Sequence, residues 1–136
     1  MFEEIEFERI ATYVISWMKK HLLTKYGLKS LSNEHPSYMS TYEGNPYQRD
    51  KAYHHGTIWP YMIGAFIETY LKIVNNKNSK KIARDLINNF IEHFSDAGIG
   101  HVSEIFDAQE PHTPRGCISQ AWCIAEIIRV KKKYKL

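Results

Sequence analysis

Four segments of the chain carry apolar residues at helical spacing, and we predict that each forms a helix. The first covers residues 3–26 and places Phe7, Ile10, Val14, Trp17, Met18 and Leu22 on one face. The second, residues 60–74, begins with a proline and is apolar almost all round. We therefore expect the second helix to be buried on most sides.

The third segment is apolar on one side only, and the fourth also carries apolar residues that we expect to be buried. Residues 79–94 follow a polar turn at 75–78, which predicts a helical hairpin with the second segment. Residues 118–133 would bury Ala121, Trp122, Ile124, Ala125 and Ile128, with Cys117 at the edge. No segment of the sequence has a convincing period-two alternation, so the predicted fold class is all-α.

Two long polar segments, residues 27–59 and 97–115, separate these helices. Connections longer than about 12–15 residues are usually functional or disordered. Both segments carry histidines, aromatics and prolines without low-complexity bias, so we expect ordered, functional loops.

A one-sided helix followed by an apolar-rich one is typical of a two-layer α/α ring. Four helices cannot close such a ring, and with only these partners the second helix would expose a broad apolar surface. The chain is therefore expected to be either a compact bundle or a piece of something larger.

Composition narrows the class of protein. A length of 136 residues fits a single domain spanning 1–136. The net charge is +3, and its excess lies in the lysine-rich segment 131–135, which suits a helix C-terminus and does not indicate nucleic-acid binding. The acidic start is unlike a signal peptide and the longest apolar run is too short for a bilayer, so we expect a cytoplasmic protein. Cys117 and Cys123, on one predicted helix, are expected to be buried thiols beyond disulfide reach.

Glu104 is the first candidate for chemistry, because it lies between apolar neighbours in a loop rich in His, Asp, Pro and Arg. A glutamate held away from water in this way suits proton transfer near neutral pH. A solvated loop carboxylate is the alternative on spacing alone. In the other long loop, Tyr42, Tyr47, Tyr53 and Trp59 either bind an amphipathic ligand or pin the loop to the core.

A second set of polar residues could in principle hold a metal ion: His54, His55, His101 and His112, with Glu104 and Asp107. Their spacing lacks the HExxH or paired CxxC pattern of a zinc site, so we predict neither a metal nor another cofactor. Hydrogen-bonding or surface roles are favoured instead. Cys117 at a helix start is a weak candidate nucleophile, because the spacing assigns it no partner histidine.

Four blocks of the sequence carry a family resemblance. They are YGLKSLS (26–32), YEGNPYQRDKAYHHGTIWPY (42–61), GAFIETYLK (64–72) and GHVSEIFDAQEPHTPRGCISQAWCIAEIIR (100–129). In this order and spacing they resemble the C-terminal part of prokaryotic glycogen debranching enzymes of the amylo-α-1,6-glucosidase type, which are related to glucoamylases.

The resemblance implies an (α/α)6 barrel, of which this chain would form only the last helical hairpins. It also implies a glycoside hydrolase of glycogen catabolism that cleaves α-1,6-glucosidic branch points by an inverting mechanism. Glu104 matches the general base, while the general acid, an aspartate, would lie in a missing N-terminal part. The matching substrate-binding residues are Arg49, Asp50, His54 and Trp59, with His112 and Arg115 as weaker assignments. Glu104 should then lie in a sheltered cleft beside His54 and Trp59.

The implied partners are glycogen or a branched oligosaccharide, together with an N-terminal partner polypeptide or further copies of the chain. Without the acid, the chain alone should be inactive or nearly so. The departures from the family pattern are His55, Tyr61 and Ala108, which leave Glu104 untouched. Two alternatives remain. One is a non-catalytic helical carbohydrate-binding or assembly module, and the other is an unrelated four-helix domain.

Overall fold

Five helices and five short strands make up the computed structural model, which describes residues 2–136, with side chains from residue 5 onward. In chain order they are α1 (Phe2–His21), β1 (Leu23–Thr24), β2 (Gly27–Lys29), α2 (Pro46–His54), β3 (Ile58–Trp59), α3 (Met62–Val74), α4 (Lys77–His93), β4 (Ile105–Phe106), β5 (Pro114–Arg115) and α5 (Ala121–Tyr134). The protein is therefore helix-rich, as predicted, but it also contains a sheet that the all-α prediction missed. Strands of two or three residues are too short to show alternation in the sequence.

The sheet joins the two long polar segments. Its strands follow the order β1-β2-β3-β4-β5, and each neighbouring pair is antiparallel. Ile58 of β3 pairs with Phe106 of β4, and both side chains are fully buried. This pairing fixes the end of the first long segment beside the middle of the second.

Helix α3 is the centre of the helical layer. It contacts α1, α4 and α5, and it buries Ile63, Phe66 and Ile67. Its burial on most sides agrees with the sequence prediction. The apolar surface expected on this helix is largely covered, and the larger exposed apolar surface lies on α1 instead.

Helix α1 presents its apolar residues differently from the prediction. It ends at His21, before the expected limit. Ile15 is buried, whereas Phe7, Ile10, Val14 and Trp17 are 69, 53, 46 and 38% exposed. The helix has two apolar stripes, and the one containing Ile15 packs on the core. The exposed stripe was wrongly predicted to be the buried face.

The buried face of α5 also differs from the prediction. Cys123, Ile127 and Val130 are buried, whereas Trp122 and Ile128 are about half exposed. The apolar residues of this helix are spread around its axis, so their spacing alone does not select a face. Contact with α3 and α4 selects the Cys123 face.

Helix α2 lies inside the first long segment and has no counterpart in the prediction. It has no apolar face, and Ala52 is its one buried residue. Its start is specified locally, because the Asn45 side chain accepts from the Gln48 backbone N–H and the Gln48 side chain accepts from the Asn45 N–H. Pro46 follows the cap at the first helical position. The long segments are thus ordered, as expected, but they are not simple loops.

The described helices do not by themselves show a barrel, so membership of an (α/α)6 barrel stays a prediction. None of the helices in the part of the chain that the structure describes is long and apolar enough to cross a bilayer.

His93 links the core to the second long segment. Its side chain is almost completely buried at the end of α4, beside Tyr26 and Phe106. Its Nε2 accepts the backbone N–H of Ser103 at 3.1 Å, and its Nδ1 lies 3.6 Å from the Asp96 carboxylate. Burial lowers the pKa of His93, with Asp96 opposing the shift. The neutral ring therefore anchors the backbone one residue before Glu104.

We expect this anchor to make stability depend on pH. Below about pH 6.5 His93 binds a proton in the unfolded chain but stays neutral in the folded protein, because its pKa is lowered there. The free energy of unfolding therefore falls as pH decreases. The extra slope is at most about 1.4 kcal/mol per pH unit, and it ends below the lowered pKa of the folded state. Urea unfolding of wild type and His93→Gln across this range measures it. The exposed His101→Gln serves as control, and equal slopes for wild type and His93→Gln would contradict the prediction.

Candidate active site

Glu104 lies immediately before β4, and its carboxylate is partly buried. Three donors from different parts of the chain bind it. The Tyr53 hydroxyl donates to Oε1 at 2.7 Å, the Gln120 side-chain amide donates to the same oxygen at 3.3 Å, and the Cys117 backbone N–H donates to Oε2 at 3.0 Å. An ionised carboxylate is an acceptor only, which suits a site lined by donors. The side chain is therefore fixed in direction rather than free in solvent.

One acceptor position of Glu104 remains available. A carboxylate offers about four lone-pair positions, and the three donors use two on Oε1 and one on Oε2. Gly116 lies next to Oε2, and a Cβ atom built there would meet this oxygen at 2.5 Å. Gly116 also has a φ of +67°, which favours glycine. The absence of a side chain at Gly116 therefore lets the backbone of this turn approach the carboxylate closely.

Tyr53 connects Glu104 to the aromatic residues of the first long segment. Its ring packs edge-on against His54 and Trp59, with centroids 5.0 and 4.6 Å away. Burial, followed by the hydrogen bond to Glu104, raises the pKa of Tyr53 well above its ordinary value. The phenol therefore remains a neutral donor to the carboxylate. The structure thus brings Glu104, His54 and Trp59 into one cluster through a residue that joins them.

His54 and Trp59 differ in their access to a ligand. His54 is exposed, whereas Trp59 is only 7% exposed and its indole N–H donates to the Tyr53 carbonyl at 3.2 Å. Trp59 therefore pins the segment to the core, one of the two roles considered for it. Farther along, the exposed rings of Tyr61 and Trp122 lie 5.3 Å apart between centroids. Because Trp122 had been assigned to the core, this exposed aromatic pair was missed.

A cleft of about 590 Å³ borders Gly116 but is not lined by Glu104 itself. It is lined by Tyr42, Glu43, Gly44, Arg49, Arg115 and Gly116. Arg49 donates to the Gly44 carbonyl at 2.9 Å, which orders the turn before α2. Arg115 forms an ion pair with Glu43 across the cleft. The cleft is polar and charged, and Gly116, one of its lining residues, lies next to Glu104.

Asp107 holds the two walls of this cleft together. Its carboxylate is buried, accepts the Tyr42 backbone N–H at 2.7 Å and pairs with Arg115 Nε at 2.8 Å. Asp107 also raises the pKa of the Arg115 guanidinium. Arg115 thus forms ion pairs with both Asp107 and Glu43, and these contacts position the loops that carry them.

The remaining predicted site residues lie at the edge of the cluster. The His112 ring contacts the Asp107 carbonyl at 3.1 Å, and Asp50 is exposed on α2. Cys117 is exposed and precedes α5, so its predicted burial is wrong, whereas Cys123 is buried and burial raises its pKa to about 12. Within residues 2–136, no group of three His, Cys, Asp or Glu residues is arranged to hold a metal ion.

Sequence reasoning missed four residues that shape this site: Tyr53, Asp107, Gly116 and Gln120. Tyr53 was assigned only to an aromatic set, and Asp107 only to a possible metal set. All four lie within the blocks that carry the family resemblance, which was the one available signal. Their contacts join residues far apart in the chain, so spacing could not assign them a role.

We expect Asp107→Asn to destabilise the protein by about 1.5–3 kcal/mol, the range for hydrogen bonds to charged groups. Arg115 then loses the charge of its buried partner, although its partial exposure keeps the cost below that of a fully buried pair. Urea unfolding measures the difference. Asp85→Asn, which breaks an exposed ion pair with Lys81, should change the free energy of unfolding by less than about 0.5 kcal/mol. Equal effects of the two variants would argue against a special role for Asp107.

We also expect Glu104→Gln to lower the raised pKa of Tyr53, because the neutral amide no longer favours the protonated phenol. Burial should keep that pKa above the ordinary value. Titration of tyrosine ¹³Cζ resonances measures this, with Tyr53→Phe identifying the signal. Glu110→Gln, an exposed change in the same loop, is the control and should leave Tyr53 unaffected. An unchanged Tyr53 titration in Glu104→Gln would mean that the hydrogen bond is absent in solution.

Comparison with known proteins places these residues in a family. A family model described as amylo-alpha-1,6-glucosidase matches residues 3–129, which include both long segments and all residues of the Glu104 cluster. No curated protein matches the chain significantly. Because the match covers nearly the whole chain, the protein belongs to the amylo-alpha-1,6-glucosidase family, as a glycoside hydrolase region of the glycogen debranching type.

Proposed function

We propose that this chain supplies the general base, Glu104, for hydrolysis of α-1,6-glucosidic branch points in glycogen-like glucans. The reaction would proceed with inversion at the anomeric carbon. The observation that carries the proposal is the environment of Glu104: three donors fix the carboxylate, and they leave one of its acceptor positions unused. Membership of the amylo-alpha-1,6-glucosidase family supports the substrate class.

The free acceptor position is what a general base needs. A water molecule placed beside Gly116 would donate one hydrogen to Oε2 of Glu104 and present its oxygen to the anomeric carbon. As the C–O bond to the branch oxygen breaks, the water proton passes to Glu104 and a carboxylic acid on the opposite side protonates the leaving oxygen. In inverting glycosidases the two carboxyl groups lie about 6.5–9.5 Å apart, which leaves room for this water.

The residues around Glu104 have supporting roles in this scheme. Tyr53 remains a neutral hydrogen-bond donor, so it orients the carboxylate without competing for the proton. Arg49 and Glu43 line the cleft and offer a cation and an anion to sugar hydroxyls. His54 is exposed beside Tyr53 and can contact the sugar directly. Arg115 and Asp107 keep the cleft walls at the spacing that the sugar requires.

The family resemblance assigns the general acid to an aspartate in an N-terminal part, so the chain alone would be inactive or nearly so. We propose that this part joins the chain in the cytoplasm to complete the pocket. The loss of one acid–base group typically costs 10²–10⁴-fold in rate.

The decisive experiment measures glucose release from a branched dextrin after co-expression with the polypeptide that supplies the acid. Glu104→Gln should lower the rate by about 10²–10⁴-fold, because it removes the base but keeps the side-chain shape. Glu110→Gln, at an exposed carboxylate of the same loop, should keep full activity. For an inverting reaction, ¹H NMR should detect β-glucose as the first product.

A glycine comparison tests the free acceptor position. Gly116→Ala should abolish glucose release, because its Cβ would occupy the space beside Oε2. Gly100→Ala has a similar positive φ, +73°, but its Cβ would meet no atom within 4 Å. It therefore carries the same backbone strain without blocking the carboxylate, and should retain activity. Equal loss in both variants would mean that strain, not access, is responsible.

Two outcomes would contradict the proposal. One is glucose release that is unchanged in Glu104→Gln. The other is a complete assembly that binds a branched oligosaccharide without cleaving it, which would favour the non-catalytic carbohydrate-binding alternative.

A further inference from the structure

Helix α1 carries a row of exposed apolar side chains that the fold does not use. Phe7, Ile10, Val14 and Trp17 follow one another at intervals of three, four and three residues and are all exposed. We call these four residues the α1 seam. A second row, which includes the buried Ile15, faces α3 and the core. The second row holds the helix on the protein, and the seam remains largely exposed.

The spacing of the α1 seam is that of a helix-to-helix contact. Alternating intervals of three and four residues place side chains on the contact line of a two-helix coiled coil. The seam also borders an apolar groove of about 430 Å³ between α1 and α3, whose α3 side includes Met62, Ala65 and Thr69. An apolar surface of this kind on a folded protein marks a site of association.

The charges on α1 define the orientation of its partner. Glu6 and Glu8 lie near the start of the helix, whereas Lys19, Lys20 and His21 lie in the last turn. Two copies of α1 side by side in parallel would bring like charges together. In an antiparallel pair the acidic start of each helix lies beside the basic end of the other.

We propose that the α1 seam is the interface of a homodimer, in which α1 of one copy packs antiparallel against α1 of a second copy. The inference is independent of the proposed catalytic function. A two-fold axis near Thr12 would set Ile10 against Val14 of the second copy. The same axis would set Phe7 against Trp17 of the second copy. Each contact occurs twice, as required for an interface formed by the same surface on both molecules.

The antiparallel register also pairs charged residues. Beside the seam, Glu6 of one copy comes nearest to Lys20 of the other, and both side chains are exposed. The symmetry repeats this pair at the opposite end of the interface. Because each α1 is already ordered on its own core, dimerisation would not require a short helix to form on binding, which reduces the cost of association.

The mass of the wild-type chain in solution tests the dimer. Sedimentation equilibrium should give twice the 16.0 kDa of one chain. Ile10→Glu places a charge in the α1 seam at an exposed position, and should give a monomer whose far-ultraviolet circular dichroism matches that of wild type. A monomeric wild-type chain at millimolar concentration would overturn the proposal, as would a dimer that Ile10→Glu leaves intact.

Charge reversal tests the register. Glu6→Lys and Lys20→Glu should each weaken the dimer by at least about tenfold, because each sets two pairs of like charges face to face. The double variant restores opposite charges and should recover most of the affinity. Glu8→Lys makes the same change of charge on the side of the helix away from the seam, so it should have a much smaller effect. A double variant as weak as the single ones would rule out this antiparallel register.

Discussion

The buried carboxylate of Asp107 is the constraint on which the arrangement of the site depends. It accepts the Tyr42 backbone N–H and pairs with Arg115, so it joins a residue of the first long segment to one of the second. A buried charge is unfavourable unless it is paired and hydrogen-bonded, so the two segments satisfy Asp107 only by staying together. The pairing of Ile58 with Phe106 in the sheet fixes the same two segments at a neighbouring point. Two connections of different physical kinds thus hold one cleft in shape.

This constraint explains how Glu104 obtains donors that are distant in the sequence. Tyr53 comes from α2, Cys117 from the turn after β5, and Gln120 from the start of α5. Tyr53 could not reach the carboxylate if the two segments separated, whereas the pairing of β4 with β5 brings Cys117 close to Glu104 within the second one. The three donors fix the direction of the side chain, and the absence of a side chain at Gly116 allows the close approach of its backbone to Oε2. The family of the chain, a glycoside hydrolase region of the glycogen debranching type, is consistent with a carboxylate held in one orientation at this place.

The differences between the predicted and observed faces of α1 and α5 have a common cause. Each helix carries more apolar residues than one face can hold, so helical periodicity allows more than one buried side. In α1 the core selected Ile15 and left the α1 seam exposed; in α5 it selected Cys123 and left Trp122 exposed. The choice depends on contacts with α3, which the periodicity of a single segment does not contain. Exposed apolar side chains of this kind are also favourable places for association, because a partner would remove their surface from water.

The sequence by itself determined the helical character of four segments, the order in two long polar segments and the family, because these depend on local patterns and on blocks of consecutive residues. It also singled out Glu104, His54 and Trp59 through those blocks. The sheet, the polar helix α2 and the faces of α1 and α5 were decided by the tertiary structure. So were the links of Tyr53 to Glu104 and of Asp107 to Arg115. Each of these depends on burial or on contacts between residues far apart in the chain. Neither secondary-structure propensity nor the spacing of residues in the sequence predicts which distant groups come into contact.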